Sequence, residues 1–354
     1  MTHRDPHATG DVTDGGGQPP SHRHLYGLPF PSRTSPLATT AAEANGRWAS
    51  AVGLVRADRA SWLADCAPHL AAARMYPDAQ SPQLALVTAY LTWLFVLDDR
   101  LDHDPADGTA GSRSLTDLAA LLGDPPSTAA PEPLLGALAD LRRRTRALAP
   151  QTLSTRLDAH LRQTFDAFAT EAQHRREGTP PTESQYIDLR RRTSCAWIFA
   201  DLAELAHDTE TLPLLHTSTE YHAQVACAAD IAGWDNDLVS LARETARDEN
   251  DNLVSVLARR HGWTPERAGE EVARRIGQRV REYPAAERRT LAHIAASGLR
   301  GPERTRHEDV IVSFRDVLAG VLAWNHGDTL RFSVPRTTTG PDHPGGTPDA
   351  DPRP

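Results

Sequence analysis

The nine residues from Asn236 to Glu244 constrain the fold more than any other stretch, because three of their side chains have the spacing of a helix face. Asn236, Ser240 and Glu244 are successive fourth residues, so a helix points all three in one direction. An amide oxygen, a hydroxyl and a carboxylate are oxygen donors, which suit a hard cation such as Mg²⁺ rather than zinc. Leu238 and Leu241 supply apolar contacts that bury the helix. The stretch therefore predicts one wall of a metal site.

A second acidic stretch, residues 98–102, predicts the opposing wall. It closes the apolar run of residues 91–97. Asp98 and Asp102 are four residues apart and share a helix face, where two carboxylates repel each other unless a cation lies between them. Asp99 is a less certain ligand, because a helix rotates it by about 100° from Asp98. Two opposed helices of oxygen donors indicate a metal cluster between them.

The rest of the chain has a helical period, with no β alternation and no internal repeat. Ser81-Pro82 is a start signal for a helix that runs into Asp98. We predict further helices over residues 134–148, 153–176, 183–205, 218–245, 252–261, 265–281, 285–297 and 304–325, with breaks at Gly178, Gly262, Pro284 and Gly298. The prediction is one all-α domain over residues 25–335, a helical bundle around a deep central cavity.

The two ends of the chain differ in composition from this domain. Residues 1–24 and 336–354 are rich in Gly and Pro, bury little apolar surface, and are expected to be disordered tails. Asp104 and Asp107 are expected to lie in a polar loop after the acidic helix.

Charge and cysteine content exclude several functions. A net charge of −9 offers no basic surface for nucleic acid. The three cysteines have neither metal-binding spacing nor a disulfide framework, which indicates a reducing cytosol. We find no signal peptide and no run near the ~20 apolar residues of a membrane span. We therefore expect a cytoplasmic protein without a membrane span or a nucleic-acid partner, and leave a homodimer open.

The pair of motifs resembles class I terpene synthases of the bacterial terpene cyclase family. Residues 98–102 match DDxxD, and residues 236–244 match the more specific NDxxSxx(R/K)E. The resemblance implies a class I terpenoid synthase-like bundle and three Mg²⁺ ions that bind the diphosphate of an allylic substrate. The implied metal ligands are Asp98, Asp102, Asn236, Ser240 and Glu244.

The resemblance also implies a set of diphosphate donors, for which the planar fork of arginine is well suited. Arg190 stands 46 residues before Asn236, where the family has its diphosphate sensor. Thr193 and Ser194 then fall at the family's linker and effector positions. The family often has glycine at the effector position, so a helix break there is less certain in this chain.

Two further arginines match cationic positions of the family. Arg243 precedes Glu244, and Arg331 matches the arginine of the family's C-terminal RY motif. Phe332 replaces the tyrosine of that motif, which removes one hydroxyl donor. An ordinary helix end is the alternative for Arg331, and a surface basic stripe is the alternative for Arg191 and Arg192 beside Arg190.

A carbocation must be protected from water and stabilised by aromatic faces. The candidates for the cavity wall are Phe95, Trp197, Phe199 and Trp324, with plain core packing as the alternative for each. The proline-rich residues 25–36 resemble the family segment that lies over the active-site mouth; a linker is the alternative.

The sequence thus predicts a Mg²⁺-dependent cyclase that ionises farnesyl diphosphate and releases diphosphate and a sesquiterpene hydrocarbon or alcohol. Alanines around residues 196–206 and 226–232 leave geranylgeranyl diphosphate and a diterpene product open, and a C10 substrate is a further alternative. A chain-elongating prenyl transferase would need a second aspartate-rich motif where residues 235–240 stand. An inactive helical binding protein should show broken ligand positions.

Overall fold

The computed structural model of the chain describes residues 26–102, 109–123, 132–246 and 252–333, and the side chains in these ranges except those of 102 and 109–112. Every regular element in these ranges is helical and none is a strand, so the predicted all-α class is confirmed. Both predicted tails, residues 1–24 and 336–354, lie outside the described residues. Residues 25, 334 and 335, which border the tails, are also outside them. So do Asp104 and Asp107.

The helices follow one another with short connections. In chain order they are α1 (Ala38–Ala51), α2 (Ala60–Cys66), α3 (Pro68–Met75), α4 (Ser81–Asp102), α5 (Thr109–Gly123), α6 (Pro133–Leu148), α7 (Gln151–Glu177), α8 (Glu183–Thr193), α9 (Ala196–Ala206), α10 (Thr219–Thr245), α11 (Leu253–His261), α12 (Pro265–Ala296) and α13 (Gly301–Ala323). A π-helical turn, Trp324–Asp328, continues α13.

Local chemistry explains many of the helix ends. The side chain of Ser218 accepts a hydrogen bond from the Tyr221 amide at the start of α10, and Asn252 caps α11 by accepting from the Val254 amide. Gly262 ends α11 in the left-handed conformation with φ +64°, which favours glycine. These signals lie within a few residues of each end, which is why the sequence located them.

Four helices, α1, α2, α3 and α5, lie outside the predicted ranges, and two predicted divisions between helices differ from the structure. The predicted helix over residues 183–205 is two helices, because Cys195 takes a left-handed φ of +59° between α8 and α9. Conversely, the predicted break at Pro284 is wrong, since α12 continues through it. Proline removes one backbone donor, but Tyr283 and Ala286 on either side of it are buried, and packing sustains the helix.

Helix packing brings the two motif-bearing helices to one region of the bundle. α10 packs along α12 and also contacts α8, α9, α11 and α13. α4 packs against α1, α3, α6 and α9. Because α9 contacts both α4 and α10, the acidic end of the first and the Asn/Ser/Glu face of the second belong to one helical assembly.

The crossing of α13 and α3 is unusually close. A Cβ atom at Gly320 would lie 2.6 Å from the backbone carbon of Arg74 and 2.7 Å from the nitrogen of Met75. The absence of a side chain at Gly320 therefore sets how the C-terminal end of the chain approaches α3. Of the helices described, not one combines the length and apolar character required to cross a membrane.

Candidate active site

The acidic end of α4 lies against the C-terminal arginine. Nη2 of Arg331 donates to Oδ2 of Asp98 over 2.6 Å, and its Nη1 lies 2.7 Å from Oδ1 of Asp99. The Arg331 side chain is only 4% exposed, whereas that of Asp98 is 47% exposed. Asp98 therefore keeps an accessible carboxylate for a cation.

The other two aspartates of the first motif differ in what the structure describes. Asp99 is buried and, besides its contact with Arg331, accepts a 2.6 Å hydrogen bond from Nε1 of Trp62. It is therefore less accessible to a cation than Asp98. Asp102 is the last residue of α4, and its side chain lies outside the described part of the structure.

The second motif lies on α10, as its spacing predicts. Oγ of Ser240 donates to the Asn236 carbonyl oxygen over 2.7 Å, and Nδ2 of Asn252 donates to Oε2 of Glu244 over 2.8 Å. Burial, and then the negative charge of Asp237, raise the pKa of Glu244 to about 7. A divalent cation at this face would compensate that buried charge, so the oxygen donors present fit a hard metal ion.

Arg190 reaches the same motif from α8. Its Nη2 donates to Oδ1 of Asn236 over 2.8 Å and to the carbonyl oxygen of Gly233 over 3.1 Å, and its Nε lies 3.0 Å from Oδ1 of Asp237. A Cβ at Gly233 would lie 3.3 Å from Cγ of Arg190, so glycine makes room for this side chain. The predicted sensor arginine and the first ligand of the motif are therefore in direct contact.

Asp237 makes a set of buried contacts that the sequence reasoning missed. It pairs with Arg190 and accepts 2.7 Å and 3.2 Å hydrogen bonds from the Tyr186 hydroxyl and the Leu253 amide. Its place inside the motif, one residue after Asn236, was the available signal.

The break between α8 and α9 lies between the two walls. Thr193 is the last residue of α8 and is buried, and Oγ of Ser194 donates to the Arg191 carbonyl oxygen over 3.1 Å. Burial, and then the charge of Asp98, raise the pKa of the Cys195 thiol to about 12, while Arg190 opposes this. The break occurs at Cys195 although glycine is absent.

An aromatic cluster lies beside Arg331 and Arg243. Phe95 stacks on Trp324 with a centroid distance of 4.9 Å, and Phe332 meets Trp324 edge-on at 6.0 Å. Cζ of Arg331 lies 5.3 Å from the Phe95 centroid, and Cζ of Arg243 lies 5.7 Å from that of Phe332. Phe332 was considered only as a lost hydroxyl, yet its ring contacts both Trp324 and Arg243.

The other two aromatic candidates lie elsewhere. The ring of Trp197 packs on His160, Tyr221 and His222 with centroid distances of 5.2, 5.6 and 4.8 Å. Tyr221 precedes Asn236 by about four helical turns, or ~22 Å, so these contacts lie far along α10 from the Asn236 motif, and a wall position for Trp197 stays a prediction. Phe199 is half-buried, and its carbonyl oxygen accepts a 3.0 Å hydrogen bond from the Tyr76 hydroxyl.

Comparisons with known proteins agree with this geometry. Residues 89–282 match the family model described as terpene synthase family 2, C-terminal metal binding. The chain is 32% identical over 342 residues to epi-isozizaene synthase of Streptomyces coelicolor, with 94% of each chain covered. It is 31% identical over 241 residues to a (+)-T-muurolol synthase of Roseiflexus castenholzii, named as cyclising (2E,6E)-farnesyl diphosphate, covering 66% of this chain and 72% of the relative.

A solved structure shares the fold. The crystal structure of germacradien-4-ol synthase from Streptomyces citricolor matches with a TM-score of 0.75 and 23% identity, and the match covers 86% of this chain and 99% of the other.

Proposed function

Because this chain belongs to the terpene synthase family whose metal-binding region it matches, we propose that it ionises farnesyl diphosphate and cyclises the resulting carbocation to a sesquiterpene. Terpene cyclases of this kind are lyases that release diphosphate, and this chain is one of them. The C15 substrate is supported by the relative whose name specifies farnesyl diphosphate. A cytoplasmic location is part of the proposal, since all three cysteines are free and buried.

Three Mg²⁺ ions are the proposed cofactor. Asp98 and Asp102 on α4, and Asn236, Ser240 and Glu244 on α10, would hold them. When bound, such ions neutralise the diphosphate and make it a competent leaving group. The donor set supports this assignment because every donor is an oxygen, and because the raised pKa of Glu244 marks a buried carboxylate in need of positive charge.

Three arginines would bind the diphosphate oxygens. Arg190 is held in one orientation by Asp237 and the Gly233 carbonyl, so its guanidinium is already ordered before substrate arrives. Arg331 is ordered by Asp98 and Asp99. Arg243 is the third, and it stands beside the Phe332 ring. Ordered donors around the departing group stabilise the charge that develops on it.

The cation would then be folded against an apolar wall. Phe95 and Trp324, stacked on each other beside Arg331, present ring faces that stabilise positive charge, and Phe332 extends this cluster. Thr193 and Ser194, at the end of α8, would link Arg190 to the cavity in which the cation folds. The last proton passes to the diphosphate or to a wall group, or water ends the reaction as an alcohol.

The observation that carries the proposal is a pair of contacts. Arg190 meets Asn236 and Arg331 meets Asp98, so each predicted metal wall is paired with a predicted diphosphate donor.

The test is incubation with Mg²⁺ and geranyl, farnesyl or geranylgeranyl diphosphate in parallel, with released diphosphate and volatile products measured. We expect a cyclic C15 product and an equal amount of diphosphate from the farnesyl substrate. A cyclic C20 product would instead indicate a diterpene cyclase, and chain extension with isopentenyl diphosphate a prenyl transferase. No turnover on any chain length would indicate a binding protein.

Removal of the proposed metal ligands tests the assignment of the site, and a substitution at an exposed carboxylate is the matched control. The double variant Asn236→Ala, Glu244→Gln should lose turnover by more than about 10²-fold. Asp188→Asn, which changes a 70% exposed carboxylate on α8, should keep it. Full turnover in the double variant would reject the assignment of the site.

A further inference from the structure

A buried carboxylate directly precedes the metal-binding motif and has no place in the mechanism above. Asp235 is fully buried and accepts three hydrogen bonds, of 2.8 Å from the Tyr26 hydroxyl, 2.7 Å from Nδ2 of Asn325 and 2.8 Å from Nε2 of His326. On a helix it is rotated by about 100° from Asn236. It therefore faces away from the ligand face and cannot be a fourth ligand of that wall.

The three donors come from the two ends of the described chain. Tyr26 is the first residue described, whereas Asn325 and His326 belong to the π-helical turn after α13. Asp235 is thus the point where the beginning and the end of the domain meet the helix that carries the metal ligands.

The C-terminal contact leads to the opposite wall. Arg331 stands five residues after His326 and pairs with Asp98 on α4. Between them, Asp328 accepts a 3.0 Å hydrogen bond from Nη2 of Arg74 on α3. The turn that carries Arg331 is therefore fixed to α10 through Asp235 at one end and to α4 at the other.

The N-terminal contact ends a segment that is anchored along its length. Arg33 donates 3.0 Å hydrogen bonds to Asp78 and to Asp316, and the ring of Phe30 packs on Tyr283 with a centroid distance of 6.0 Å. Arg33 thus anchors residues 26–36 at the surface, Phe30 anchors them to the buried Tyr283 of α12, and Tyr26 is the contact with the metal-binding helix.

A second buried carboxylate on α10 shows what a purely structural role looks like. Asp230 is also fully buried, but Arg191 on α8 and Arg279 on α12 pair with it at 2.7 Å and 2.6 Å. Asp230 therefore joins α10 to two neighbouring helices and pairs with neither the N-terminal segment, residues 26–36, nor the turn after α13. Within the described ranges, the ion pairing of Asp235 involves His326 alone.

We propose that Asp235 is a positioning residue that holds the N-terminal segment and the turn bearing Arg331 against the metal-binding helix. The inference rests on the proposed function. Loss of the carboxylate releases residues 26–36 and the turn after α13, so Arg331 is less well placed and the cavity is less well closed to water. Asp235 acts through these segments and touches neither substrate nor metal.

The test compares Asp235→Asn with Asp230→Asn as the matched buried control on the same helix. Three readouts are taken: the rise in melting temperature on adding Mg²⁺ and inorganic diphosphate, the Mg²⁺ concentration for half-maximal turnover, and the ratio of cyclic product to linear alcohol. Compared with wild type, Asp235→Asn should show a smaller rise in melting temperature on adding Mg²⁺ and diphosphate. It should need about 10-fold more Mg²⁺ for half-maximal turnover and form more linear alcohol. Asp230→Asn should lower the melting temperature of the free protein and leave the other readouts near wild type.

Equal effects of the two substitutions on the three readouts would overturn the proposal. If Asp235→Asn does not fold, Tyr26→Phe is the deciding variant, because it removes one hydroxyl donor and no packing. Its product ratio and Mg²⁺ requirement must shift in the direction expected for Asp235→Asn. Wild-type values of both would reject the proposal. A wild-type protein without turnover or diphosphate-induced stabilisation would reject the proposed function instead, so the two failures are distinguishable.

Discussion

Asn252 donates a 2.8 Å hydrogen bond to Oε2 of Glu244, and the same Nδ2 lies 2.7 Å from the Asp237 carbonyl oxygen. The residue that begins α11 therefore orients the last oxygen donor of the motif on α10. A side chain that holds a metal ligand commonly matters nearly as much as the ligand itself.

We expect Asn252→Ala to raise the Mg²⁺ concentration for half-maximal turnover by about 10- to 100-fold, because Glu244 loses its orienting donor. The variant also loses the N-cap of α11, so it needs a control that loses only a cap. Thr264→Ala is that control, since Thr264 caps α12 by accepting from the Arg267 amide. It should lower stability by about 1 kcal/mol and leave the Mg²⁺ requirement unchanged. The same Mg²⁺ requirement in both variants would show that Asn252 is only a cap.

Arg331→Gln tests the contact at the other wall. It removes a diphosphate donor, so turnover should fall by about 10²-fold or more. It also leaves Asp98 and Asp99 without their shared positive partner, so Mg²⁺ alone should raise the melting temperature of this variant more than that of wild type. Arg192→Gln, at an exposed position on α8, should change neither quantity. An unchanged response to Mg²⁺ would argue against an interaction between Arg331 and the metal-binding carboxylates.

Gly320→Ala tests the close crossing of α13 and α3. The added methyl group would lie 2.6–2.8 Å from backbone atoms of Arg74 and Met75, which cannot move aside as a flexible side chain can. We expect a loss of about 1–3 kcal/mol in the free energy of unfolding, measured by denaturant titration. Gly269→Ala on α12 is the control, because its methyl group would meet only Leu238 at 3.7 Å, and alanine favours a helix by about 1 kcal/mol. Destabilisation of both variants to the same extent would contradict this explanation.

The pair of His326 and Asp235 predicts a pH dependence of stability. The hydrogen bond to Asp235 raises the pKa of His326 above its ordinary value of 6.5, although burial opposes this. The folded state therefore binds the imidazole proton more tightly than the unfolded state does. This stabilisation is fully present below the unfolded value and is lost as the pH rises through the folded value.

In melting experiments on the metal-free protein, the melting temperature of wild type should exceed that of His326→Gln. The difference should be largest near about pH 6 and smaller above about pH 8. A difference that stays constant over this range would show that the proton on His326 does not contribute.

The features that the sequence predicted are those with local causes. The predicted helix starts at residues 218 and 252 and the predicted break at Gly262 lie beside the two caps and the left-handed glycine that determine them. The period of Asn236, Ser240 and Glu244, the proposed ligands, is likewise a property of one helix. The family resemblance added the arginines, and the fold class and the assignment as a terpene cyclase are confirmed.

The features that were missed depend on contacts between distant segments. Pro284 is tolerated because residues on both sides of it are buried, which no local pattern reveals. Cys195 adopts a left-handed conformation that its residue type does not favour, so the surrounding helices must impose it. The partners of Asp235 are 209 and about 90 residues away, and only the folded chain brings them together.

Three buried carboxylates on α10 have different sets of partners. Asp230 is tied to α8 and α12, Asp235 to Tyr26 and to the turn after α13, and Asp237 to α8 and the start of α11. Such a helix can neither spin about its own axis nor slide along it without breaking several of these bonds at once. The orientation of the Asn236, Ser240 and Glu244 face is therefore set by contacts that lie outside that face.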